Sequence, residues 1–181
     1  MNDAQPKSQS SRARLQLRQV AKRSIGGRVS RQALLFIHGW GCSSEIWQSV
    51  FARLPDSYDI YCLDLPGYGE NALCEVESLE QLLEQFDSDI KLLLPERFVL
   101  IGWSLGGVIA TLLAKKYTNN VMALFTVATN PRFIASEKWS CGMAPSVFSS
   151  FTQQLEKNVK ATLSSFYTLQ CKGSVNKLQL L

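Results

Sequence analysis

The sequence contains no apolar run long enough to cross a membrane, since its longest apolar stretches have the length of strands and core helices. Its N-terminal residues include no apolar segment of the kind found in secretory leaders, and we expect a cytoplasmic protein. The five cysteines are odd in number and show no C-x-x-C spacing. Free thiols therefore explain them better than a disulfide framework or a metal site.

Acidic residues are scarce at the start of the chain. Residues 1–32 contain eight lysines and arginines against Asp3 alone, a net charge of +7, whereas the remainder has 11 basic and 14 acidic residues, a net charge of −3. We predict a flexible basic arm over residues 1–32. An edge strand over residues 13–20 and an organellar transit peptide are the alternatives. Charge alone does not indicate nucleic-acid binding, so we expect no nucleic-acid partner.

The composition, 46% hydrophobic and 19% charged, suits a globular domain with a core. Apolar runs predict strands over residues 33–37, 58–63, 98–101 and 121–129. Helical spacing and capping serines predict helices over about residues 43–54, 79–93 and 105–116. This alternation predicts an α/β fold over residues 33–144, with an open, mostly parallel sheet flanked by helices.

The pattern changes after Pro145. Apolar residues follow helical spacing from Val147 to Leu169, with no strand between them. We predict a helical hairpin or cap over residues 145–171 and an irregular tail over residues 172–181. Packing explains the apolar stripe, although packing against a cleft would also make it a wall of a binding site.

One segment combines a buried strand, a glycine-rich turn and a helix. Four apolar residues, 98–101, lead into Gly102-x-Ser104-x-Gly106, and helical spacing follows from Leu105. This is the pattern of a nucleophile elbow, in which a strained turn holds the serine between strand and helix. The flanking glycines are needed because strand and helix approach each other closely there. The alternative is a glycine-rich turn that carries an ordinary surface serine.

Three motifs, in this order, resemble those of the α/β-hydrolase superfamily. Residues 36–41 (Phe-Ile-His-Gly-Trp-Gly) are similar to the loop that supplies an oxyanion donor. Residues 64–69 (Asp-Leu-Pro-Gly-Tyr-Gly) resemble the family's Asp-x-Pro-Gly-x-Gly loop, and residues 102–107 resemble its nucleophile elbow. With the run 166–170, the details most resemble one subfamily, the pimeloyl-[acyl-carrier protein] methyl ester esterases of biotin synthesis.

The resemblance implies a carboxylic-ester hydrolase that forms a serine acyl-enzyme and needs neither cofactor nor metal. Ser104 is the implied nucleophile, and the backbone N–H groups of Trp40 and Leu105 form the implied oxyanion hole. The implied partner is an acyl-carrier protein bearing an acyl methyl ester, and Lys157 and Lys160 are the basic residues expected to contact it. We expect the chain to be a monomer. A solvated helix face is the alternative for these lysines. The implied substrate-binding residues are Trp40, Ser104, Leu105, Phe166, Tyr167, Thr168, Leu169 and Gln170.

The base and the acid of the family's triad are missing from these 181 residues. In the family an aspartate and then a histidine follow the serine. Here the only histidine, His38, precedes Ser104, no aspartate follows Asp89, and the only carboxylates after Ser104 are Glu137 and Glu156. Two interpretations stay open: a fragment that lacks the last strands of the fold, or a catalytically silent protein that binds acyl chains or acyl-carrier protein. We expect little turnover, and low stability or poor solubility.

Overall fold

The computed structural model describes residues 16–21 and 31–174, and the chain forms two compact units. The first unit ends at Thr129 and the second begins at Asn130, before the predicted start of the cap segment at residue 145. The segment before residue 145 belongs to the second unit, and it forms backbone hydrogen bonds within itself. The N–H of Ala135 donates to the carbonyl of Met143, and the N–H of Ser136 donates to that of Trp139.

The first unit contains a five-stranded sheet. Its strands are β1 Leu17–Ala21, β2 Gln32–Ile37, β3 Tyr58–Leu63, β4 Phe98–Trp103 and β5 Val121–Val127. Their order across the sheet is β1-β3-β2-β4-β5. Strand β1 is antiparallel to β3, and the other three pairings are parallel. The predicted mostly parallel α/β sheet is therefore confirmed.

Strand β1 corrects the prediction of a flexible arm for part of residues 1–32. Residues 17–21 form an edge strand, as the alternative interpretation of residues 13–20 proposed. The N–H of Leu17 donates to the Asp89 carboxylate, and the Leu17 side chain is buried. The basic residues of 1–15 and 22–30 lie outside the described residues.

The helices agree with the sequence pattern, except in how the first one begins. They are α1 Gln48–Phe51, α2 Leu79–Leu93, α3 Leu105–Lys116, α4 Pro145–Lys157 and α5 Val159–Gln170, with short 3-10 turns at Ser44–Trp47 and Gly69–Asn71. Ser78 caps α2, since its hydroxyl accepts from the N–H of Gln81 at 3.1 Å. The turn at Ser44–Trp47 instead begins with the N–H of Ser44 donating to Asp64.

The core lies on both faces of the sheet. Along β2, Ala33, Leu35 and Ile37 belong to one buried cluster, which includes residues of α2 and α3. Leu34 and Phe36 belong to the other, together with Trp47. A central parallel strand that is buried on both faces has a continuous apolar sequence, as β2 does. The prediction of a sheet flanked by helices is confirmed.

The second unit contains the predicted pair of helices. Asn158 separates α4 from α5 and caps α5 by accepting from the N–H of Ala161 at 3.0 Å. Aromatic side chains connect the two helices: the ring centroids of Phe148 and Phe151 lie 6.4 Å apart, as do those of Phe151 and Phe166. These contacts explain the apolar stripe in part as packing within the unit. No helix within the described ranges is long and apolar enough to cross a membrane.

Strand β5 is the exposed edge of the sheet. Among the described strands it pairs only with β4, and most of its residues are exposed on both faces. Phe125 is 59% exposed, and Met122 and Val127 are each nearly half exposed. An open strand edge that carries apolar side chains favours association with other chains.

We expect Phe125→Lys to reduce self-association of the chain, because a lysine on an edge strand disfavours strand pairing and removes exposed apolar area. Sedimentation velocity over a range of concentrations measures this change. Leu92→Lys is the matched control, since it adds the same charge at a residue of α2 that is 78% exposed. An equal reduction in both variants would mean that net charge, and not the β5 edge, governs association.

Candidate active site

Ser104 lies between β4 and α3 in a strained backbone conformation. Its φ is +54° and its ψ is −118°, a left-handed φ that non-glycine residues rarely adopt. The N–H of Ser104 donates to the Val127 carbonyl at 2.8 Å, and its carbonyl accepts from the N–H of Gly107 at 3.0 Å. These bonds to β5 and to the first turn of α3 hold the strained turn in place.

The glycines of the elbow are required by close backbone contacts. A Cβ atom on Gly102 would collide with the carbonyl group of Gly106, and one on Gly106 would collide with the carbonyl oxygens of Ile37 and His38. A Cβ atom on Gly107 would collide with the hydroxyl of Thr129. The elbow is therefore pressed against the end of β2 and the residues that follow β5.

The loop after β2 lies beside the serine. A Cβ atom on Gly39 would lie 3.2 Å from Ser104 Cβ and 3.0 Å from the ring of Trp103. The loop that carries Trp40 therefore passes close to Ser104, which Leu105 follows in sequence. Trp40 and Ser104 are half-buried, and Leu105 is 37% exposed. The predicted site residues of the first unit thus come from one neighbourhood.

The other predicted substrate-binding residues lie on α5 in the second unit. Phe166 and Tyr167 are half-buried, whereas Thr168, Leu169 and Gln170 are exposed. A groove of about 520 Å³ runs along α5, and its lining residues are Val159, Lys160, Leu163, Ser164, Tyr167 and Thr168. The groove contains two of the five predicted residues and one of the two predicted lysines. Their part in substrate binding stays a prediction.

His38 is fully buried, and both of its ring nitrogens have backbone partners. The N–H of Leu65 donates to Nε2 at 2.9 Å, so Nδ1 carries the proton and donates to the Gly39 carbonyl at 2.8 Å. Burial lowers the pKa of His38, opposed by the bond to Gly39 and by the carboxylate of Asp64. A neutral imidazole with both nitrogens occupied is poorly placed to take a proton from Ser104.

Sequence reasoning missed two residues, Asp64 and Asn71, that organise the loops around the site. The Asp64 carboxylate accepts from the N–H of Ser44 at 2.6 Å and from that of Glu70 at 3.0 Å. The Asn71 amide donates to the Asp64 carbonyl at 2.6 Å and exchanges two hydrogen bonds with the backbone of Gln16. The Asn71 side chain is fully buried.

None of the five cysteines forms a disulfide. Burial raises the pKa of Cys62 to about 12, so this thiol stays protonated at neutral pH. Within the described ranges, no three histidine, cysteine or carboxylate side chains lie together as metal ligands.

We expect Asn71→Leu to lower the free energy of unfolding by about 2–4 kcal/mol, because it leaves the buried carbonyl of Asp64 and two backbone groups of Gln16 without this partner. Urea denaturation monitored by tryptophan fluorescence measures the loss. Asn120→Leu is the matched control, because the Asn120 side-chain amide donates a hydrogen bond to the Glu96 carbonyl. We expect this variant to lower the free energy of unfolding by less, about 1 kcal/mol. Equal losses in both variants would contradict the organising role of Asn71.

We expect stability to fall as the pH drops below the ordinary pKa of histidine. The folded pKa of His38 is lowered, so the unfolded chain binds the proton more readily and is stabilised relative to the folded chain as the pH falls. Asp64 and Tyr68 are the titratable groups that face the ring. Between about pH 7 and pH 5.5, His38→Gln removes this pH-dependent loss of stability. Urea denaturation at both pH values checks this, and identical pH slopes for the two proteins would refute it.

The comparisons with known proteins agree with this geometry. A family model for the alpha/beta hydrolase fold matches residues 32–180. The pimeloyl-[acyl-carrier protein] methyl ester esterase of Vibrio vulnificus strain YJ016 is 38% identical over 146 residues, which cover 81% of this chain and 55% of the relative. The enzyme of the same name from Proteus mirabilis strain HI4320 is 39% identical over 142 residues, covering 78% and 52%. The chain thus spans about half the length of these curated relatives.

Solved structures show the same fold. A bromoperoxidase from Bacillus anthracis superposes with a TM-score of 0.68 at 20% sequence identity, covering 77% of this chain and 52% of that one. A marine microorganism esterase superposes with a TM-score of 0.62, also at 20% identity, covering 92% and 60%. Since the family model matches most of the chain and the sheet has the predicted topology, this protein belongs to the α/β-hydrolase family.

Proposed function

We propose that the chain carries the nucleophile and the oxyanion hole of a serine-type carboxylic-ester hydrolase. The observation that supports this most directly is the left-handed Ser104, which lies between a buried strand and a helix in a turn that only glycines can flank. A serine in an ordinary loop needs neither a strained backbone nor three nearby glycines at positions where a Cβ atom would collide with its neighbours. Strain of this kind persists where the surrounding structure maintains it, often at functional sites.

In the proposed acylation step, Ser104 Oγ attacks the ester carbonyl carbon and loses its proton to a base. The carbonyl oxygen becomes an oxyanion, which accepts from the N–H groups of Trp40 and Leu105. Collapse of this intermediate breaks the ester C–O bond and releases the alcohol, which takes a proton. The Leu105 N–H is well suited because it is the first of α3, where the helix dipole favours negative charge. Each such donor contributes about 3 kcal/mol to transition-state stabilisation.

The base is the part of this mechanism that the 181 residues do not supply. His38 is the only histidine, its burial lowers its pKa, and both of its ring nitrogens have backbone partners. Because both His38 ring nitrogens already have partners, we infer that another base takes the serine proton. We therefore propose that the chain by itself is acylated slowly and is deacylated more slowly still, because attack by water also needs a base.

For the substrate, we propose a methyl ester of an acyl chain carried by acyl-carrier protein, cleaved to the free acid and methanol. The names of the relatives from Vibrio vulnificus and Proteus mirabilis support this substrate. The α5 groove suits an acyl chain, since Val159, Leu163 and Tyr167 line it. Lys160 on its lining, and Lys157 at the end of α4, would attract the acidic carrier protein.

Silent binding of an acyl chain or acyl-carrier protein is the second candidate. The engagement of His38 favours it, because a chain with a nucleophile and no available base can bind an ester without cleaving it. The two candidates differ in whether Ser104 forms a covalent bond with an activated ester.

We expect p-nitrophenyl acetate to give a stoichiometric burst of p-nitrophenolate with little subsequent turnover. Added imidazole should then accelerate both phases, since it supplies the base that takes the proton from Ser104 or from water. Ser104→Ala should abolish the burst and the imidazole effect, leaving only the reaction of imidazole with the ester in solution. Ser88→Ala, which removes an exposed hydroxyl on α2, is the control and should behave as wild type.

The possible outcomes separate the candidates. A burst that disappears in Ser104→Ala identifies an acylated serine and supports the hydrolase proposal. Binding of a pimeloyl methyl ester without a burst, even with imidazole, would favour the silent module. Steady turnover without imidazole that survives in Ser104→Ala would refute the assigned nucleophile.

A further inference from the structure

We propose that His38 is a positioning residue that fixes the peptide group between Gly39 and Trp40, and so the direction of the Trp40 N–H. The consequence for catalysis rests on the proposed function, in which this N–H is an oxyanion donor. The structural part of the inference stands on the geometry of the first unit alone.

The planarity of the peptide bond couples the Gly39 carbonyl to the Trp40 N–H. The carbonyl of Gly39 and the N–H of Trp40 belong to one peptide group, which is trans, since the described residues contain no cis peptide bond. In a trans peptide the C=O and N–H bonds point in opposite directions within one plane. Any interaction that fixes the Gly39 carbonyl therefore also fixes the Trp40 N–H.

His38 holds that carbonyl from the interior. Its Nδ1–H donates to the Gly39 oxygen at 2.8 Å, and the N–H of Cys42 approaches the same oxygen at 3.4 Å. The imidazole is fully buried, so water does not compete for the bond. A Cβ atom on Gly39 would lie only 3.2 Å from Ser104 Cβ and 3.0 Å from the Trp103 ring, so the peptide group that His38 holds is close to the serine.

The imidazole is itself held by the neighbouring loop. The N–H of Leu65 donates to Nε2 at 2.9 Å, which selects the tautomer that carries its proton on Nδ1. Asp64, next in sequence to Leu65, anchors this loop through Ser44 and Glu70. The restraint on Trp40 thus passes from the loop after β3, through a neutral histidine, to the loop after β2.

Two substitutions of His38 separate its hydrogen bond from its bulk. The amide of His38→Asn retains a donor close to the Nδ1 position and can still reach the Gly39 carbonyl, whereas His38→Leu retains bulk and loses the donor. Ser78→Ala is the control for general destabilisation, because it removes the cap of α2 within the same unit and touches neither loop. Circular dichroism and urea denaturation establish that each variant is folded.

The first measurement is independent of any chemistry at Ser104. Amide NMR of the uniformly labelled chain reports the chemical shift and the hydrogen-exchange rate of the Trp40 N–H. We expect His38→Leu to shift this resonance and to accelerate its exchange about tenfold or more, with a smaller change in His38→Asn and none in Ser78→Ala. An unchanged Trp40 resonance in folded His38→Leu would overturn the proposal.

The second measurement follows phosphonylation of Ser104 by a fluorophosphonate, with imidazole as the base. Serine Oγ bonds to phosphorus, the P–F bond breaks, fluoride leaves, and imidazole takes the serine proton. The phosphoryl oxygen should occupy the oxyanion hole, so we expect His38→Leu to label about tenfold or more slowly than wild type. His38→Asn should recover most of the rate, and Ser78→Ala should retain it.

The two measurements distinguish failure of this inference from failure of the proposed function. If the wild-type Ser104 is not labelled, the hydrolase proposal fails and the Trp40 resonance still decides the role of His38. If Ser104 is labelled equally fast in wild type and His38→Leu, the positioning role in catalysis is refuted even though the nucleophile is correct.

Discussion

The close approach of strand β4, helix α3 and the end of β2 is the constraint on which the site depends. Side chains at Gly102 and Gly106 would overlap neighbouring carbonyl groups, so the backbone can cross there only without Cβ atoms. The crossing forces the intervening Ser104 into a left-handed conformation. Packing of α3 against the sheet, through buried Ile109, Ala110 and Leu113, maintains this conformation. The strain at one residue is thus supported by the core of the whole unit.

Around this elbow, the loops at the carboxyl ends of β2 and β3 are held by polar side chains that bond to backbone groups. His38, Asp64 and Asn71 are buried, and between them they accept from or donate to the backbone of both loops and of Gln16. Loops satisfied in this way stay ordered without regular structure. Gln16, the residue before edge strand β1, joins the same system through its two hydrogen bonds to Asn71. The loops after β2 and β3, which lie on one side of β4 in the sheet, are therefore held in a fixed arrangement near Ser104.

The opposite side of the sheet is different. Strand β5 carries exposed apolar side chains on both faces, in contrast to β2 and β4, which are largely buried. The curated relatives are nearly twice as long as the matched region. The described structure thus combines the strained turn at Ser104 and the loop after β2, both held by hydrogen bonds to backbone groups, with an open edge beside them.

The sequence by itself determined the α/β class, most strand and helix positions, and the elbow, because buried strands, amphipathic helices and glycine turns depend on local periodicity and backbone sterics. It did not determine that residues 17–21 pair with β3, since a short alternating stretch among basic residues is equally consistent with an arm. It also did not indicate that Asp64 begins the turn at Ser44, or that Asn71 is buried. Such hydrogen bonds join residues far apart in the chain, so only the tertiary structure decided them. The same holds for His38: the sequence located it in the loop after β2, and folding alone placed a partner on each of its ring nitrogens.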